Sequence, residues 1–476
     1  MQIGFSGKKD GDIPHDKCGV VGVYSPNSDI SKITFLALYA LQHRGQESAG
    51  IATGDGTEIK SHLGMGLVSQ VFNESNLSNL DGHVSIGHTR YSTTGSSNIQ
   101  NAQPCFSSNT GSEIALAHNG NVINALDLRN ELLDWGIKFK SSADSEVIAH
   151  LITSAPGENW HDRFSYVMRR LQGAFSLTLI TKDSLIAARD NLGVRPLCIG
   201  TIDDGYVVAS ETCALDHVGA KYLRDVEPGE VVLIDKMGLN TIYQQPLTNG
   251  VAHCVFEHVY IARSDSVIND RLVYKSRMAM GRELAIEHPV EADLVIGVPD
   301  SATAAAVGYA QQSGIPYGEG LIRNRYVGRT FILPEQHLRD IGVRRKLNPL
   351  NEIIRDKRLV VVDDSIVRGT TGPQVVALLR KGGAKEIHLR ICAPPFKHPC
   401  YFGVDLPSRR DMIASNRSVE EISEFMGADS LGYLTIPSLK KAVSNVSSKS
   451  CMACFTGNYP IPVQLEMDKF AFEKTK

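Results

Sequence analysis

Two adjacent carboxylates stand at the end of an apolar run, directly before a short polar loop. They are Asp363 and Asp364, within residues 359–371, LVVVDDSIVRGTT. Acids at the end of a strand can hold a sugar diol or a hydrated Mg²⁺ ion. The loop contributes Ser365, Arg368, Gly369, Thr370 and Thr371. Its N–H groups and hydroxyls can surround a phosphate where the next helix begins, so the pattern predicts a sugar-phosphate site. A buried strand with a polar turn is the alternative interpretation.

A second predicted turn from strand to helix carries polar residues of the same kind. In residues 295–310, VIGVPDSATAAAVGYA, Asp300 and Ser301 precede a helix whose N-terminus suits a pyrophosphate. The stretch between the two turns, residues 321–348, is strongly basic. Its cations are Arg323, Arg325, Arg329, Arg339, Arg344, Arg345 and Lys346. Arginine forks match phosphate oxygens, although a solvated basic surface is the simpler interpretation.

The N-terminal half contains a cysteine in a setting that can support nucleophilic catalysis. Cys18 opens the run CGVVGVY, which alone is more typical of a small buried residue. Four further segments follow it in order. They are LQHRGQESAG (41–50), HTRYSTTG (88–95), AHNGNV (117–122) and SSADSEV (141–147). Together the five segments resemble the glutaminase domain of the amidotransferases with an N-terminal nucleophile (Ntn).

This resemblance implies a mechanism and a set of residues. Cys18 attacks the side-chain amide of glutamine, and its own free α-amino group takes the thiol proton. That amine exists only if Cys18 becomes the first residue. The resemblance assigns the side chain of Asn119 and the backbone N–H of Gly120 to the oxyanion of the tetrahedral intermediate. It assigns Arg90 and Asp144 to the carboxylate and the ammonium group of the glutamine substrate.

The segments around both turns resemble the phosphoribosyltransferases that bind phosphoribosyl pyrophosphate (PRPP). In that family the turn within residues 295–310 helps to hold the diphosphate and a metal ion, so Ser301 joins Asp363 and Asp364 as a candidate Mg²⁺ site. The basic stretch resembles the mobile loop that closes over PRPP. One departure concerns Gly372-Pro373, because most relatives have Ser at the first of these positions. Loss of that hydroxyl would weaken a phosphate contact or a helix cap.

Four of the nine cysteines indicate a metal or redox role rather than disulfides. Cys451 and Cys454 form a CxxC pair, which alone fits a redox pair, half a zinc site or one corner of a cluster. Cys254 and Cys400 bring the number of thiolates to four. The segments around them resemble the iron–sulfur subclass of the glutamine PRPP amidotransferases. The resemblance implies one structural [4Fe–4S] cluster and one Mg²⁺ ion per chain, and a Cys₄ zinc site is the alternative to the cluster.

Two different element patterns must position these groups. The N-terminal half has many strands and few helices, which indicates layered sheets, and residues 31–43 predict a helix with Ser31 as its N-cap. Beyond about residue 275 helices and strands alternate, as in a doubly wound α/β fold with ligands at the carboxyl ends of the strands. With the resemblance, the expected fold class is α+β and then α/β. An Ntn αββα glutaminase sandwich over residues 18–250 precedes a type I phosphoribosyltransferase with a doubly wound parallel sheet and an iron–sulfur-binding tail, over residues 251–476.

The composition excludes some function classes. Lys and Arg number 49 and Asp and Glu 52, a net charge of −3, and no basic block is long enough to suggest a nucleic-acid tail. No apolar run approaches the roughly 18–20 residues of a membrane span. Residues 1–17 are polar and lack the apolar region of a secretory signal, so we expect a cytoplasmic protein. An organelle is the alternative if a transit peptide has been trimmed. The family resemblance gives residues 1–17 the role of a propeptide that is removed.

The whole chain from Cys18 to about Tyr459 resembles the amidophosphoribosyltransferases, which catalyse the first committed step of de novo purine synthesis. The resemblance implies that ammonia released from glutamine passes to PRPP and displaces pyrophosphate, giving 5-phospho-β-D-ribosylamine. It also implies inhibition by purine nucleotides and a homotetramer or homodimer, and it implies no nucleic-acid or membrane partner.

Three rival interpretations remain. The first is a glutaminase joined to a sugar-isomerase domain, which residues 359–371 argue against. The second is a PRPP-binding regulator without catalysis, and the intact set Cys18, Arg90, Asn119 and Asp144 argues against it. The third is an iron–sulfur redox sensor with vestigial enzyme domains.

Overall fold

The chain folds into two parts, a pair of stacked antiparallel sheets followed by a smaller parallel sheet. The computed structural model describes residues 18–91, 96–109, 112–247, 250–324, 347–444 and 450–463. The predicted propeptide, the end of the HTRYSTTG segment and most of the predicted mobile loop lie outside the described residues.

The first sheet has seven strands, all paired antiparallel. Its central strand, Gly19–Tyr24, is buried along its whole length. Because this strand is covered on both faces, it reads as a continuous apolar run rather than an alternating one. In spatial order the strands are Lys221–Asp225, Cys198–Ile202, Gly205–Ala209, Gly19–Tyr24, Val84–Arg90, Ser48–Gly54 and Ile59–Met65.

The second sheet has six antiparallel strands and stacks on the first. In spatial order they are Gly238–Gln244, Glu230–Asp235, Leu185–Arg189, Gly173–Ile180, Ser112–Val122 and Cys105–Asn109. Val20 and Ile86 of the first sheet pack against Ala117 and Ala187 of the second, and all four side chains are fully buried. This apolar layer fixes the distance between the sheets, and thereby the distance between groups that lie at their ends.

Helices cover the outer faces of both sheets and complete an αββα sandwich. Ile30–Ala40 and Thr212–His217 pack on the first sheet. Ala125–Asp134, Asp144–Ser154 and Trp160–Arg170 pack on the second. The shorter helices of this part are Val68–Val71, Glu74–Leu77 and the 3₁₀ turn Ile99–Asn101. The αββα prediction is confirmed.

The predicted N-cap of the first helix is wrong. The side chain of Asp29, not of Ser31, accepts a hydrogen bond from the backbone N–H of Lys32, at 3.2 Å. Ser31 lies inside the helix, and its hydroxyl donates to the Asp29 carboxylate at 2.9 Å. Both residue types are good caps, so the sequence alone did not decide between neighbouring candidates.

The second part is built on four parallel strands in sequential order, Leu294–Gly297, Arg358–Asp363, Glu386–Ile391 and Ser430–Tyr433. One face packs on the helices Val273–Glu287, Thr303–Ser313 and Ile436–Val443. The other packs on Asn351–Ile354, Gly372–Lys381 and Val419–Met426. Helices on both faces of a parallel sheet confirm the doubly wound prediction.

Small elements join the two parts and extend the second. The strand pairs are Val267–Ile268 with Arg271–Leu272, Leu321–Arg323 with Leu347–Pro349, and the parallel pair His253–Cys254 with Ser450–Cys451. The remaining helical segments are the π-helix Glu257–Ile261, the 3₁₀ turns Arg409–Asp411 and Ile413–Ser415, and Ala453–Thr456. None of the helices in the described segments combines the length and the apolar character that a membrane span requires.

Candidate active sites and a thiol cavity

Cys18 lies at the entrance to the central strand of the first sheet. Its side chain is buried, and its thiol donates to the backbone oxygen of Tyr91 at 3.5 Å. Burial raises the pKa of this thiol to about 11, and the hydrogen bond and the Arg90 guanidinium oppose part of that rise. Because a thiol with so high a pKa stays protonated at neutral pH, Cys18 needs an adjacent base to act as a nucleophile.

Arg90 ends the neighbouring strand and brings a buried positive charge to Cys18. Its guanidinium donates to the backbone oxygen of Ser96 at 3.2 Å and lies 3.7 Å from the Glu47 carboxylate. Only 2% of Arg90 is exposed. A guanidinium held in this way can bind a carboxylate through two parallel hydrogen bonds.

Asp144 brings a negative charge to the same place. It is the first residue of the helix Asp144–Ser154, and its carboxylate accepts from the backbone N–H of Val122 at 3.1 Å. Burial alone would raise the pKa of Asp144, but His118, 3.5 Å away, and the hydrogen bonds hold it below the usual value. The charges of Asp144 and Arg90 both act on the Cys18 thiol. One buried cation and one buried anion beside a thiol suit the two charged ends of an amino acid.

Asn119 and Gly120 lie on the strand Ser112–Val122 of the second sheet. Asn119 is fully buried, and neither polar atom of its amide has a hydrogen-bond partner among the described residues. An unsatisfied buried amide costs about 1–3 kcal/mol, so a ligand is expected to pair with it. Gly120 has φ of +154°, and a Cβ there would lie 2.0 Å from the backbone oxygen of Ala174.

Three residues near Cys18 were not identified from the sequence. Arg44 is fully buried, and its Nε donates to the Cys18 backbone oxygen at 3.2 Å. His88 joins the two sheets because its Nε2 lies 3.1 Å from the His118 backbone oxygen, and burial lowers its pKa to about 3. Glu47 faces Arg90. Arg44 and Glu47 belong to the segment LQHRGQESAG, which contributes to the glutaminase resemblance without indicating a role for either residue.

The two predicted strand-to-helix turns lie side by side. The strands that lead into them are adjacent and parallel, with Gly297 opposite Val362. The hydroxyl of Ser301 donates to Asp364 across the gap, and the hydroxyl of Ser365 donates to its other carboxylate oxygen. The structure therefore brings the two turns together at the carboxyl ends of the strands, as predicted.

The two acids form one connected group with these hydroxyls. The backbone N–H of Asp364 donates to the Asp363 carboxylate at 2.8 Å. Burial raises the pKa of Asp364, while the two serine hydroxyls and the Arg277 charge oppose the rise. Asp300 instead lies at the surface, where its carboxylate pairs with Arg323 at 3.0 Å.

The rest of the turn that follows Asp364 leads into the helix Gly372–Lys381. Arg368 is partly exposed, Gly369 is buried, and Thr370 and Thr371 lie directly before the helix. A Cβ at Gly372 would lie 2.3 Å from the sulfur of Met426. A side chain at this position would require only the flexible end of Met426 to move, so packing alone does not account for the glycine.

The four cysteines Cys254, Cys400, Cys451 and Cys454 line one cavity between the two parts. Cys254 and Cys451 are opposite each other in the parallel strand pair, and the Cys454 backbone oxygen accepts from the N–H groups of Lys397 and His398, both at 3.1 Å. The other lining residues are apolar or aromatic, namely Val194, Phe256, Phe396, Phe402, Val404, Leu406, Ala453 and Tyr459. Burial raises the pKa of all four thiols, that of Cys451 to about 12.

The fully buried guanidinium of Arg195 acts on three of these thiols, Cys254, Cys400 and Cys451, and opposes the rise in their pKa. Its Nε has no hydrogen-bond partner among the described residues. Thiols beside a buried cation are a donor set suited to an electron-poor metal centre. Across the described ranges, no three His, Cys, Asp or Glu side chains are already arranged around a single metal ion.

Known proteins resemble this chain in sequence. Residues 88–217 match the family model described as a glutamine amidotransferase domain. An amidophosphoribosyltransferase of Mycobacterium bovis is 48% identical over 466 residues, covering 95% of this chain and 88% of the relative.

Two solved structures are similar to this chain over most of its length. Glutamine PRPP amidotransferase from B. subtilis, complexed with ADP and GMP, superposes with a TM-score of 0.87 at 44% identity, covering 95% of this chain and 98% of that one. A structure described as the allosteric regulatory enzyme of purine biosynthesis gives 0.88, at the same identity and over 95% and 97% of the two chains.

Proposed function

The chain belongs to the amidophosphoribosyltransferases, glutamine-dependent enzymes of purine biosynthesis, and from this membership we propose which residues carry the two half-reactions. Cys18 attacks the side-chain amide of glutamine and releases ammonia, leaving a thioester that water hydrolyses to glutamate. The ammonia passes within the protein to PRPP and displaces pyrophosphate at C1 of the ribose. The product is 5-phospho-β-D-ribosylamine.

The glutamine site is formed at the end of the two sheets. The α-amino group of Cys18, freed by removal of residues 1–17, takes the thiol proton. A base is needed there because burial raises the pKa of this thiol. Asn119 and the N–H of Gly120 donate to the oxyanion, while Arg90 and Asp144 bind the charged groups of glutamine. The observation that carries this assignment is the buried amide of Asn119, which has no hydrogen-bond partner within the described part of the chain, because a donor kept for a transient anion stays unsatisfied in the resting enzyme.

The PRPP site is formed at the ends of the two parallel strands. We assign Asp300, Ser301, Asp363, Asp364, Ser365, Arg368, Gly369, Thr370 and Thr371 to PRPP. The backbone of Gly369–Thr371 and the start of the following helix receive the 5-phosphate. The carboxylates face the ribose and the diphosphate. Adjacency of the two turns supports this assignment, since one ligand can touch both.

The oxygen donors at this site fit a magnesium ion. Ser301, Asp363 and Asp364 offer a hydroxyl and two carboxylates, which are the hard oxygen ligands that magnesium prefers. Magnesium, when bound, supplies positive charge to the departing pyrophosphate. The protein's own part is to hold both turns in register, so that PRPP meets the ammonia with its C1 exposed.

The thiol cavity fits a [4Fe–4S] cluster held by Cys254, Cys400, Cys451 and Cys454. Apolar walls and the buried Arg195 suit an anionic cluster that is shielded from water. We expect purified protein to be brown and to contain about four iron atoms and four sulfides per chain, measured by metal analysis. Stoichiometric zinc without iron would contradict this and favour a Cys₄ zinc site.

The remaining assignments concern organisation and regulation. We propose that residues 18–250 form the glutaminase domain and residues 251–476 the phosphoribosyltransferase domain with its cluster-binding tail. Because the B. subtilis relative was solved with ADP and GMP, purine nucleotides are the proposed inhibitors of this chain. A homotetramer or homodimer in the cytoplasm completes the proposal.

Replacement Cys18→Ser tests the central assignment. Glutamine-dependent product is expected to fall by at least a hundredfold, because the hydroxyl is a far weaker nucleophile, while ammonia-dependent product stays unchanged. The two activities are compared by the rate of pyrophosphate release with each nitrogen source.

The intact mass of the same parent preparation reports the first residue. Active parent protein should begin at Cys18. Persistent use of glutamine by the variant would overturn the nucleophile, and an active parent that retains residues 1–17 would overturn the amine as base.

A further inference from the structure

A short segment of the second part packs directly on the strand that carries Asn119 and Gly120. This segment, residues 400–403, lies in the chain between the third and fourth strands of the parallel sheet and begins with one of the four cavity cysteines. The side-chain N–H of Asn121 donates to the backbone oxygen of Tyr401 at 2.9 Å. Asn121 is only 8% exposed, so this hydrogen bond lies inside the junction.

Two glycines face each other across the junction. A Cβ at Gly403, which has φ of +92°, would lie 2.8 Å from the carbonyl carbon of Gly120 and 2.9 Å from its oxygen. Backbone therefore meets backbone with no room for a side chain. Any displacement of Gly403 is transmitted to Gly120 without a flexible side chain to absorb it.

The same segment is also joined to Cys18 through buried charges. The Phe402 backbone oxygen accepts from Arg195, whose guanidinium pairs with Glu257 at 3.2 Å. Glu257 in turn receives two hydrogen bonds from Arg44, at 3.0 and 3.1 Å. Arg44 donates to the Cys18 backbone oxygen. Both sides of the glutamine site are thus fixed to residues 400–403.

We propose that residues 400–403 position the oxyanion donors of the glutamine site, with Gly403 as the positioning residue that sets the backbone of Gly120. The inference rests on the proposed role of Asn119 and Gly120 in binding the oxyanion. It makes glutamine hydrolysis depend on a loop of the other half of the chain, the loop that starts at Cys400. An oxyanion donor acts on the transition state, so its displacement lowers kcat much more than it changes KM.

Replacement Gly403→Ala tests this, with Gly314→Ala as the matched control. Gly314 also lies in the second part and has a positive φ, +76°, but apart from its own turn of the chain no described residue places an atom within 4 Å of its added Cβ. We expect Gly403→Ala to lower kcat for glutamine at least tenfold, with KM for glutamine, the ammonia-dependent rate and the iron content each within twofold of the parent. The control should retain all four values.

Asn121→Ala provides a second variant outside the thiol cavity, and it decides the matter if Gly403→Ala does not fold. Loss of its hydrogen bond to Tyr401 should lower kcat for glutamine about threefold to tenfold and leave the ammonia-dependent rate unchanged. Equal loss of both activities, or an unchanged kcat for glutamine in both variants, would overturn the proposal. The Cys18→Ser variant distinguishes a failure of this inference from a failure of the proposed function. If that variant still uses glutamine, the proposed function is refuted, whatever the result for Gly403→Ala.

Discussion

At the scale of single residues, the buried histidine His88 gives the protein a defined response to acid. Burial lowers its pKa from the ordinary 6.5 to about 3, so the unfolded chain takes up a proton that the folded chain excludes. The free energy of unfolding therefore does not depend on the protonation of His88 above about pH 6.5, and it falls as the pH drops from about 6.5 towards about 3. The slope is about 1.4 kcal/mol per pH unit for one such group.

Replacement His88→Gln is expected to flatten this dependence while keeping an N–H that can reach the His118 oxygen. The free energy of unfolding, measured in urea at several pH values between 7 and 5, should fall less steeply in the variant than in the parent. Parallel curves for the two proteins would show that His88 is not the group responsible.

The functional residue types were the most predictable part of the site. Cys18, Asn119, Asp144, Asp363 and Asp364 all stood out in short segments whose local order is kept in the fold. Arg44 escaped notice because its partner Glu257 is 213 positions away, and no short segment records such a pair. The cap at Asp29 was missed for the opposite reason, since two adequate caps stood two positions apart.

At the scale of elements, the ends of two parallel strands do most of the positioning for the proposed PRPP site. Asp364 is held by hydroxyls from both turns, Ser301 on one and Ser365 on the other. Its carboxylate therefore links the two turns through hydrogen bonds and is also a candidate metal ligand.

Replacement Asp364→Asn should weaken the link between the turns, because the amide nitrogen cannot accept the hydrogen bond that a serine hydroxyl donates to the second carboxylate oxygen. Loss of a hydrogen bond to a charged group, about 1.5–3 kcal/mol, predicts a ten- to hundredfold lower kcat/KM for PRPP with ammonia as the nitrogen source. Glu291→Gln, an exposed carboxylate near the opposite end of the sheet, is the control and should behave as the parent. An unchanged value in the Asp364 variant would exclude this residue from the site.

The alternation of strands and helices was enough to predict the doubly wound sheet, because each element there carries its own pattern. In the stacked sheets, the ends of the strands were harder to predict from the periodicity of apolar residues. Strands such as Gly19–Tyr24 are buried on both faces and show no alternation, so their ends had to be inferred from turns. The thiol cavity could be predicted only through family resemblance, since its four cysteines come from three distant segments.

At the scale of the whole molecule, buried charges hold the two halves together. Arg44 of the first part and Glu257 of the connecting segment are at most 1% exposed, and Arg195 shares the same carboxylate. Removing one partner of such a network leaves charges that water cannot reach.

Replacement Glu257→Ala is therefore expected to destabilise the protein by about 3–5 kcal/mol and to lower its melting temperature in calorimetry. An exposed pair offers the comparison, because Glu291→Gln removes a partner of Arg358 at the surface and should leave the melting temperature unchanged. Equal behaviour of the two variants would mean that the buried network contributes no more than a surface pair.

The pairing of His253–Cys254 with Ser450–Cys451 has a consequence for how the protein is made. Cys254 leaves the ribosome about 200 positions before Cys451 and Cys454. The four thiols therefore cannot meet until residue 454 has been made, so their cavity is completed well after the first part of the chain has emerged. By the inference above, a nascent chain that has not reached residue 403 also lacks the loop that positions Gly120.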